Sequence, residues 1–429
     1  MTAIAGTMEL RPEEFLATVT SGIQQVVERA GGDPTRIDAI TFSTQANSFV
    51  LLDANDEPLT PLLLWPDRRA KAMEAEVIAR GDIPAFTEIT GIPGLNHQFM
   101  VAKLMWYARH EPAIWNRIAR VCLISDFLTL WLARQHVTEA GTAGLSALVD
   151  IHRLVWHQEL VERFGLHGVW LPRIVRAGTN LGPIRAEIAE HLGLPATCQF
   201  VVGCLDQYAG AVGVGNVSPG MVSETTGTVL ATVICCEAPL SDGGRGVITG
   251  PAFRDGLYWR MVFGDVSANI LQWYHDQLSD KPGFTELSDL AEAVPAGSAG
   301  LSLRKGIELT SLALVFDGAN PQHTRGHYVR SIMEGVADAL HDQIQLLSGE
   351  ACSTWPAEIR SAGGGAKSPV WLQIKADRIG VPVVTTVCPE PTSLGAAVLA
   401  EASLSGCSVA EVACRWIRLN PARVPSSQP

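Results

Sequence analysis

Gly203-Cys204-Leu205-Asp206-Gln207-Tyr208-Ala209-Gly210-Ala211 is the stretch that decides how this chain is read. It closes a β-rich run, residues 199–205, with a carboxylate and continues in very small residues that suit the start of a helix. A carboxylate at a strand end, with glycine and alanine behind it, fits a cleft floor where a ligand approaches the backbone. A helix cap explains Asp206 as well, since aspartate is a preferred N-cap. Outward from this point the pattern stays mixed. Upstream, residues 12–30 carry Phe15, Val19, Ile23, Val26 and Val27 at helical spacing. Short β-prone runs follow at 37–43, 48–53 and 62–65, then helices at 73–78 and 98–108. Downstream, a hairpin is predicted at 221–236, strands at 246–249 and 257–262, and helices at 267–278 and 326–347. Strand 358–362, helix 371–379 and strand 381–387 complete an α/β pattern.

A chain of 429 residues is long for one core, so two domains are expected. The Ser, Pro and Gly of residues 217–220 place the boundary there, giving 1–217 and 218–429. The Pro- and Ser-rich tail 421–429 reads as disordered. A formal charge of -12 disfavours nucleic acid and anionic membranes as partners, because both require a basic surface. A phosphorylated small ligand remains compatible, needing only a local electropositive pocket. No apolar run is long enough to span a bilayer, and residues 1–10 lack a signal peptide's basic flank and apolar core. Nine cysteines, without Cys-x-x-Cys spacing, read as buried thiols in a reducing cytoplasm.

Three further stretches carry candidate chemistry. Glu224-Thr225-Thr226-Gly227-Thr228-Val229 reads as strand, turn, strand, with hydroxyls and N–H groups suited to phosphate oxygens; a plain hairpin accounts for it nearly as well. Ser361-Ala362-Gly363-Gly364-Gly365-Ala366-Lys367-Ser368 lies between a strand and a helix, where three glycines admit a nucleotide and the helix N-terminus favours anions. It misses the Walker pattern, with Ser361 and Ala366 at that motif's glycine positions. Gln45, Ala46 and Asn47, followed by Trp65, Asp67 and Arg68, offer amides, an aromatic face and charge for hydroxyl recognition. Each alone is an ordinary loop residue. His323 and His327 have helical metal-ligand spacing but no evident third ligand. Gly213 and Gly215 lack the third glycine of a dinucleotide fingerprint, which weighs against a dehydrogenase.

In chain order these stretches resemble the FGGY family of carbohydrate kinases, which includes xylulokinase, gluconokinase and glycerol kinase. The resemblance runs from about Glu9 to Leu404. It takes in Trp65–Arg69 after Gln45, then Thr90-Gly91, Lys103–Trp106, Gly203–Gly213 and Gly227-Thr228. Arg330–Gly335, Gly363–Leu372 and Glu390–Ala400 complete it. It implies two ribonuclease-H-like, actin-like ATPase domains around a cleft, with sugar mostly on the first and ATP mostly on the second. Magnesium would accompany ATP. Asp206 would be the general base, and Gln207, with the loops at Gln45–Asn47 and Trp65–Arg68, would contact sugar. Thr226, Gly227, Thr228, Gly363, Gly364, Gly365 and Lys367 would meet the nucleotide. Ala46-Asn47, Glu139, Val229 and Ser393 depart from the family's usual residues, so the substrate class stays broad: a sugar, polyol or sugar acid. A homodimer is the assembly this reading admits. The family also opens with a hairpin carrying Asp-x-Gly-Thr, whereas this chain reaches its Pro12–Phe15 helix start almost at once, and Ala5-Gly6-Thr7 lacks the carboxylate. The resemblance therefore implies a truncated first domain, leaving two readings: a start further upstream, or a shortened and impaired sugar- and nucleotide-binding remnant.

Overall fold

The computed structural model describes residues 6–29, 31–167, 170–239, 246–304, 309, 311–348 and 355–426. Mixed strands and helices run throughout, as the alternating pattern predicts. The chain forms two compact units. The first gathers Met1–Ala209, Glu237–Trp259 and Thr392–Val412; the second gathers Gly210–Cys236, Arg260–Pro391 and Ala413–Pro429. The division falls inside the helix Asp206–Gly213, ahead of the Val217–Gly220 turn, and the chain crosses again four times. A single linear boundary cannot express those returns.

In the first unit, helix Pro12–Arg29 carries Glu13 and Glu14 in its first turn and Arg29 in its last, which complements the helix dipole. Its Phe15, Val19, Ile23 and Val27 pack on a core that includes Phe42, Leu132, Leu192 and Phe200. An antiparallel sheet follows the order Glu9–Leu10, Leu62–Leu63, Phe49–Leu52, Arg120–Leu123. Helix Met100–His110 covers it, burying every residue from Met100 to Tyr107. This burial of the whole first two turns, including Lys103, is more than helical periodicity alone would require.

Three parallel pairs complete this unit: Ala39–Ile40 with Gln199–Val201, Ser43–Thr44 with Cys204–Leu205, and Val137–Glu139 with Arg173–Val175. Among the described residues, Ala39–Ile40 pairs on one side only. The break between the first two pairs comes at Gly203, where a Cβ would lie 1.7 Å from the Phe42 carbonyl oxygen. Only glycine lets the two strands approach there.

The strands of the second unit lie in the order Tyr258–Gly264, Leu230–Cys236, Val222–Thr226, Ile359–Gly363, Val383–Val384. Tyr258 and Trp259, at the start of the first of these, belong to the first unit. The long helix Arg325–Leu347 buries Val329, Ile332, Met333, Val336, Leu340 and Ile344, the six positions its periodicity selects. The tail corrects one expectation. Residues 421–426 are not loose, because Arg423 exchanges backbone hydrogen bonds with Val383 and the Ser426 N–H donates to Asp377 Oδ1. Ala5 of the Ala5-Gly6-Thr7 stretch and the last three tail residues lie outside the described residues.

Gly203→Ala should destabilise the first unit by at least ~2 kcal/mol, since a methyl group has nowhere to go against backbone. Thermal unfolding followed by circular dichroism reads this as a lowered Tm relative to the unaltered chain.

Candidate active site

Parallel pairing sets the candidate site of the first unit. Ser43 and Thr44 register with Cys204 and Leu205, so Gln45 and Asp206 both stand one position beyond the last paired residues. They leave the same, carboxyl, end of the two strands, where α/β folds bind ligands. Asp206 opens the helix Asp206–Gly213 and is half-buried. Its Oδ1 accepts from Gln207 N at 2.7 Å, and Oδ2 accepts from no described residue. An N-cap side chain would instead accept from an N–H two or three residues on. Burial raises the Asp206 pKa above the ordinary carboxylate value, opposed by the Gln207 N–H. Gln45 and Gln207 are also half-buried, with no side-chain hydrogen bond to any described residue.

Behind Asp206 lies a residue noted in the sequence only as a departure. Glu139 is buried, its oxygens accepting from Gly141 N at 2.7 Å and from Thr142 N and Oγ1 at 2.8 Å each. Burial pushes the Glu139 carboxyl up, and those donors pull it back.

The loop residues divide by exposure. Trp65 is 44% exposed and Arg68 is exposed, so both present side chains outward. Ala46 is half-buried beside Gln45. Asn47 has φ +58°, accepts from Met100 N at 2.9 Å and donates to the Leu145 carbonyl at 2.9 Å, so its amide holds the loop's shape. Asp67 is fully buried. Its Oδ1 accepts from Arg69 N and Nε, and its Oδ2 accepts from Met8 N at 2.8 Å and Arg69 Nη2 at 3.0 Å. Burial pushes Asp67 up, but the Arg69 side chain and the two N–H groups outweigh it and hold the carboxyl low. Arg69 also bonds Glu9 and the Tyr107 hydroxyl and lies 5.1 Å from the Trp106 ring centre.

The tie that collects these loops is Lys103. Its Nζ is buried against four carbonyl oxygens, those of Trp65 at 2.9 Å, Leu64 and Gln98 at 3.1 Å, and Asn47 at 3.4 Å. Burial lowers its pKa to about 8. Sequence reasoning placed Lys103 on a helix without a role; a lysine among apolar residues on every side of that helix was the available signal.

A separate group of candidate residues lies wholly in the second unit. Strands Val222–Thr226 and Leu230–Cys236 pair up to Thr226↔Leu230, leaving Gly227-Thr228-Val229 as the connecting turn. The turn is anchored by Ser267 Oγ and Ala268 N, both donating to the Gly227 carbonyl. On the other side Thr226 registers with Gly363 in a parallel pair. Gly363 has φ +83°, and a Cβ there would lie 2.7 Å from the Thr226 carbonyl oxygen; at Gly365 it would meet Thr226 Cγ2 at 2.7 Å. At Gly364 a Cβ would meet only the Thr226 carbonyl oxygen, at 3.9 Å, and Gly364, Lys367 and Thr228 are exposed. Ser368 caps the helix Pro369–Ile379 by accepting from Trp371 N. Beside this loop is a cavity of about 460 Å³, with Leu271, Phe284 and Trp371 as apolar walls and Gln272, Asp289 and Lys367 as polar ones. Gly364 and Gly365 form its glycine edge. Gln272, Phe284 and Asp289 come from helices distant in sequence, and nothing in their local pattern marked them. The described residues contain no group of three or more His, Cys, Asp or Glu able to hold a metal. His323 and His327 serve local turns, accepting from Asn320 N and Thr324 N respectively.

This two-unit arrangement has known counterparts. The FGGY carbohydrate kinase N-terminal domain profile matches residues 1–213, and the C-terminal domain profile matches residues 307–404. Glycerol kinase of Dechloromonas aromatica (strain RCB) is 30% identical over 383 residues, covering 85% of this chain and 74% of that protein. The chain belongs to the FGGY family of carbohydrate kinases. Another FGGY relative, xylulose kinase of Lactococcus lactis subsp. lactis (strain IL1403), is 28% identical over 404 residues, 92% of this chain and 79% of that protein. Among solved FGGY structures, xylulose kinase from Rhodospirillum rubrum superposes with a TM-score of 0.88 at 26% identity, over 100% of this chain and 88% of that one. The structure of Plasmodium falciparum glycerol kinase with ADP shares the fold, with a TM-score of 0.86 at 22% identity, over 100% of this chain and 87% of that one. As an FGGY kinase, the protein phosphorylates a sugar or polyol with ATP. No helix among the described residues is long and apolar enough to cross a membrane.

Lys103→Met would strip four buried carbonyls of their shared donor, at a cost of about 1–3 kcal/mol. Differential scanning calorimetry should show the Tm falling by several degrees, and limited proteolysis should open the loops at Asn47 and Trp65 first.

Proposed function

We propose that the chain moves the terminal phosphoryl group of ATP to a hydroxyl of a small sugar, polyol or sugar acid, with Asp206 as general base. One observation carries this reading: Asp206 stands at the strand ends beside Gln45, half-buried, with an oxygen that no described residue uses. That oxygen is free to take the proton of an attacking hydroxyl, an action typically worth ~10²–10⁴-fold. The remaining acceleration comes from positioning and charge stabilisation. Gln45, Ala46, Trp65, Arg68 and Gln207 are the proposed sugar contacts. Asn47 and Asp67 act behind them, Asn47 by shaping its loop and Asp67 by holding Arg69.

The first unit is thus the sugar side and the second the nucleotide side. The cavity beside Gly364, with its aromatic wall and glycine edge, suits a nucleoside, and the exposed Gly227-Thr228 turn and Lys367 suit its phosphates. Magnesium would arrive on the phosphates, a mode that asks only one or two carboxylates of the protein. Bound magnesium supplies charge neutralisation at the transferred group. A reducing cytoplasm suits the free thiols at Cys122, Cys198, Cys204, Cys235 and Cys236. The acceptor stays at class level, because the related chains include xylulose kinases, a glycerol kinase and autoinducer-2 kinases.

A second reading is a catalytically impaired binder of sugar and nucleotide. ADP release in the presence of a sugar panel separates the two, since the binder releases none above background.

Asp206→Asn should lower kcat by at least ~10²-fold while leaving the ADP dissociation constant within about twofold. Since burial raises the Asp206 pKa, the acid limb of kcat/KM in the unaltered enzyme should lie above the ordinary carboxylate range. The same shift fixes the sign for stability. Below the unfolded pKa both states are protonated; as pH rises, the unfolded carboxyl ionises first and stability falls until the folded one has ionised too. Asp206→Asn should therefore keep or raise the Tm at neutral pH. Near-unchanged turnover would reduce Asp206 to a helix-start residue.

Asn47→Ala should reorder the sugar panel, because the loop that carries Gln45 and Ala46 loses its two amide anchors. Relative kcat/KM values for pentuloses, polyols and sugar acids are the measurement. An unchanged order in a folded variant would place the acceptor pocket elsewhere.

A further inference from the structure

Beneath the nucleotide-side loops lies a charged pair that the phosphoryl chemistry does not use. Lys375 and Glu224 are both fully buried, with Lys375 Nζ 2.6 Å from Glu224 Oε1. Glu224 Oε1 also accepts from Ser361 Oγ, and Oε2 accepts from Thr226 Oγ1 at 2.7 Å. Lys375 Nζ closes the ring by donating to Thr226 Oγ1 at 2.8 Å. The four members come from three parts of the cavity's frame. Glu224 and Thr226 sit on the strand that leads into Gly227-Thr228, Ser361 on the strand that leads into Gly363–Gly365, and Lys375 on the helix that starts at Pro369.

A fully buried ion pair is an inefficient way to gain stability, since apolar residues of similar volume often do as well or better. Its directional bonds can, however, fix the spacing and register of backbones in a way that apolar contact cannot. The contacts here set such a spacing. Thr226 Cγ2 lies 2.7 Å from where a Cβ of Gly365 would stand, and the Thr226 carbonyl lies equally close to the Cβ position of Gly363. Lys375 Nζ is also 5.7 Å from the ring centre of Trp371, an aromatic wall of the cavity.

We propose that Glu224, Lys375 and the Thr226 hydroxyl form a positioning device that locks the Thr226–Thr228 turn against the Gly363–Gly365 loop and so sets nucleotide affinity. This rests on the nucleotide reading of the cavity. Here Thr226 acts through its buried side chain, whose hydroxyl links the ion pair to the turn.

The test compares Thr226→Val, which keeps the shape and loses the hydroxyl, with Thr226→Ser, which keeps the hydroxyl. Titration of the full chain with a fluorescent ADP analogue should show a Kd raised about tenfold by T226V and largely restored in T226S. Where turnover is measured, the KM for ATP should rise with T226V while the KM for sugar stays put. Hydrogen exchange should quicken at the amides of residues 226–229 and 363–367 in T226V alone. The double variant E224Q/K375M, which leaves no unpaired buried charge, should weaken ADP binding in the same direction. Wild-type ADP affinity in both T226V and the double variant overturns the positioning role while leaving the nucleotide reading intact. No ADP binding by the unaltered chain overturns the nucleotide reading and this proposal with it.

Discussion

The parallel pairing of Ser43–Thr44 with Cys204–Leu205 is the constraint on which the candidate site depends. Parallel strands present their carboxyl ends at one edge, so a loop from early in the chain and one from residue 206 arrive side by side without any direct bond between them. The pairing is possible because Gly203 adds no side chain against the Phe42 carbonyl. Close by, the buried Glu139 is held by the Gly141 and Thr142 N–H groups and the Thr142 hydroxyl. Asp206 can stay uncommitted because its neighbours, not its own side chain, bear the cost of holding the strand end.

The two units solve one problem in different ways. Loops that meet a ligand need exposed, lightly bonded side chains, yet they must hold a fixed shape. In the first unit the solution is a single buried ammonium, Lys103, that gathers four carbonyl oxygens from three loops. In the second it is an ion pair with two hydroxyls, centred on Glu224 and Lys375. In both, the charge lies out of water, where its hydrogen bonds are strongest and an unpaired partner most costly.

The sequence was most informative where local chemistry and tertiary role coincide. The strand-to-helix step at Asp206, the glycine run at 363–365 and the periodic helix 325–347 each have a local signature, and each stands where that signature puts it. Family membership was legible for the same reason, because ordered short motifs survive at identities near 30%. Asp67 and Asn47 were harder. Nothing in Trp-Pro-Asp-Arg-Arg tells that Asp67 turns inward to Arg69 and Met8, or in Gln-Ala-Asn that Asn47 spends its amide on Met100 and Leu145. Those choices are made by partners as many as ninety-eight positions away. The cavity walls Phe284 and Gln272 were invisible because surface residues of an amphipathic helix look alike whether they face water or a ligand.

The way the chain is threaded has a consequence for its synthesis. The first unit is built from three segments, the last of which is Thr392–Val412. Domains generally fold as units and N-terminal first as they leave the ribosome, but this one has to wait. Its opening two hundred residues emerge long before its last segment, and the second unit's sheet is translated before that segment arrives. The nascent first unit therefore stays incomplete through most of translation, and it is the stage of this protein's life at which a chaperone would have most to hold.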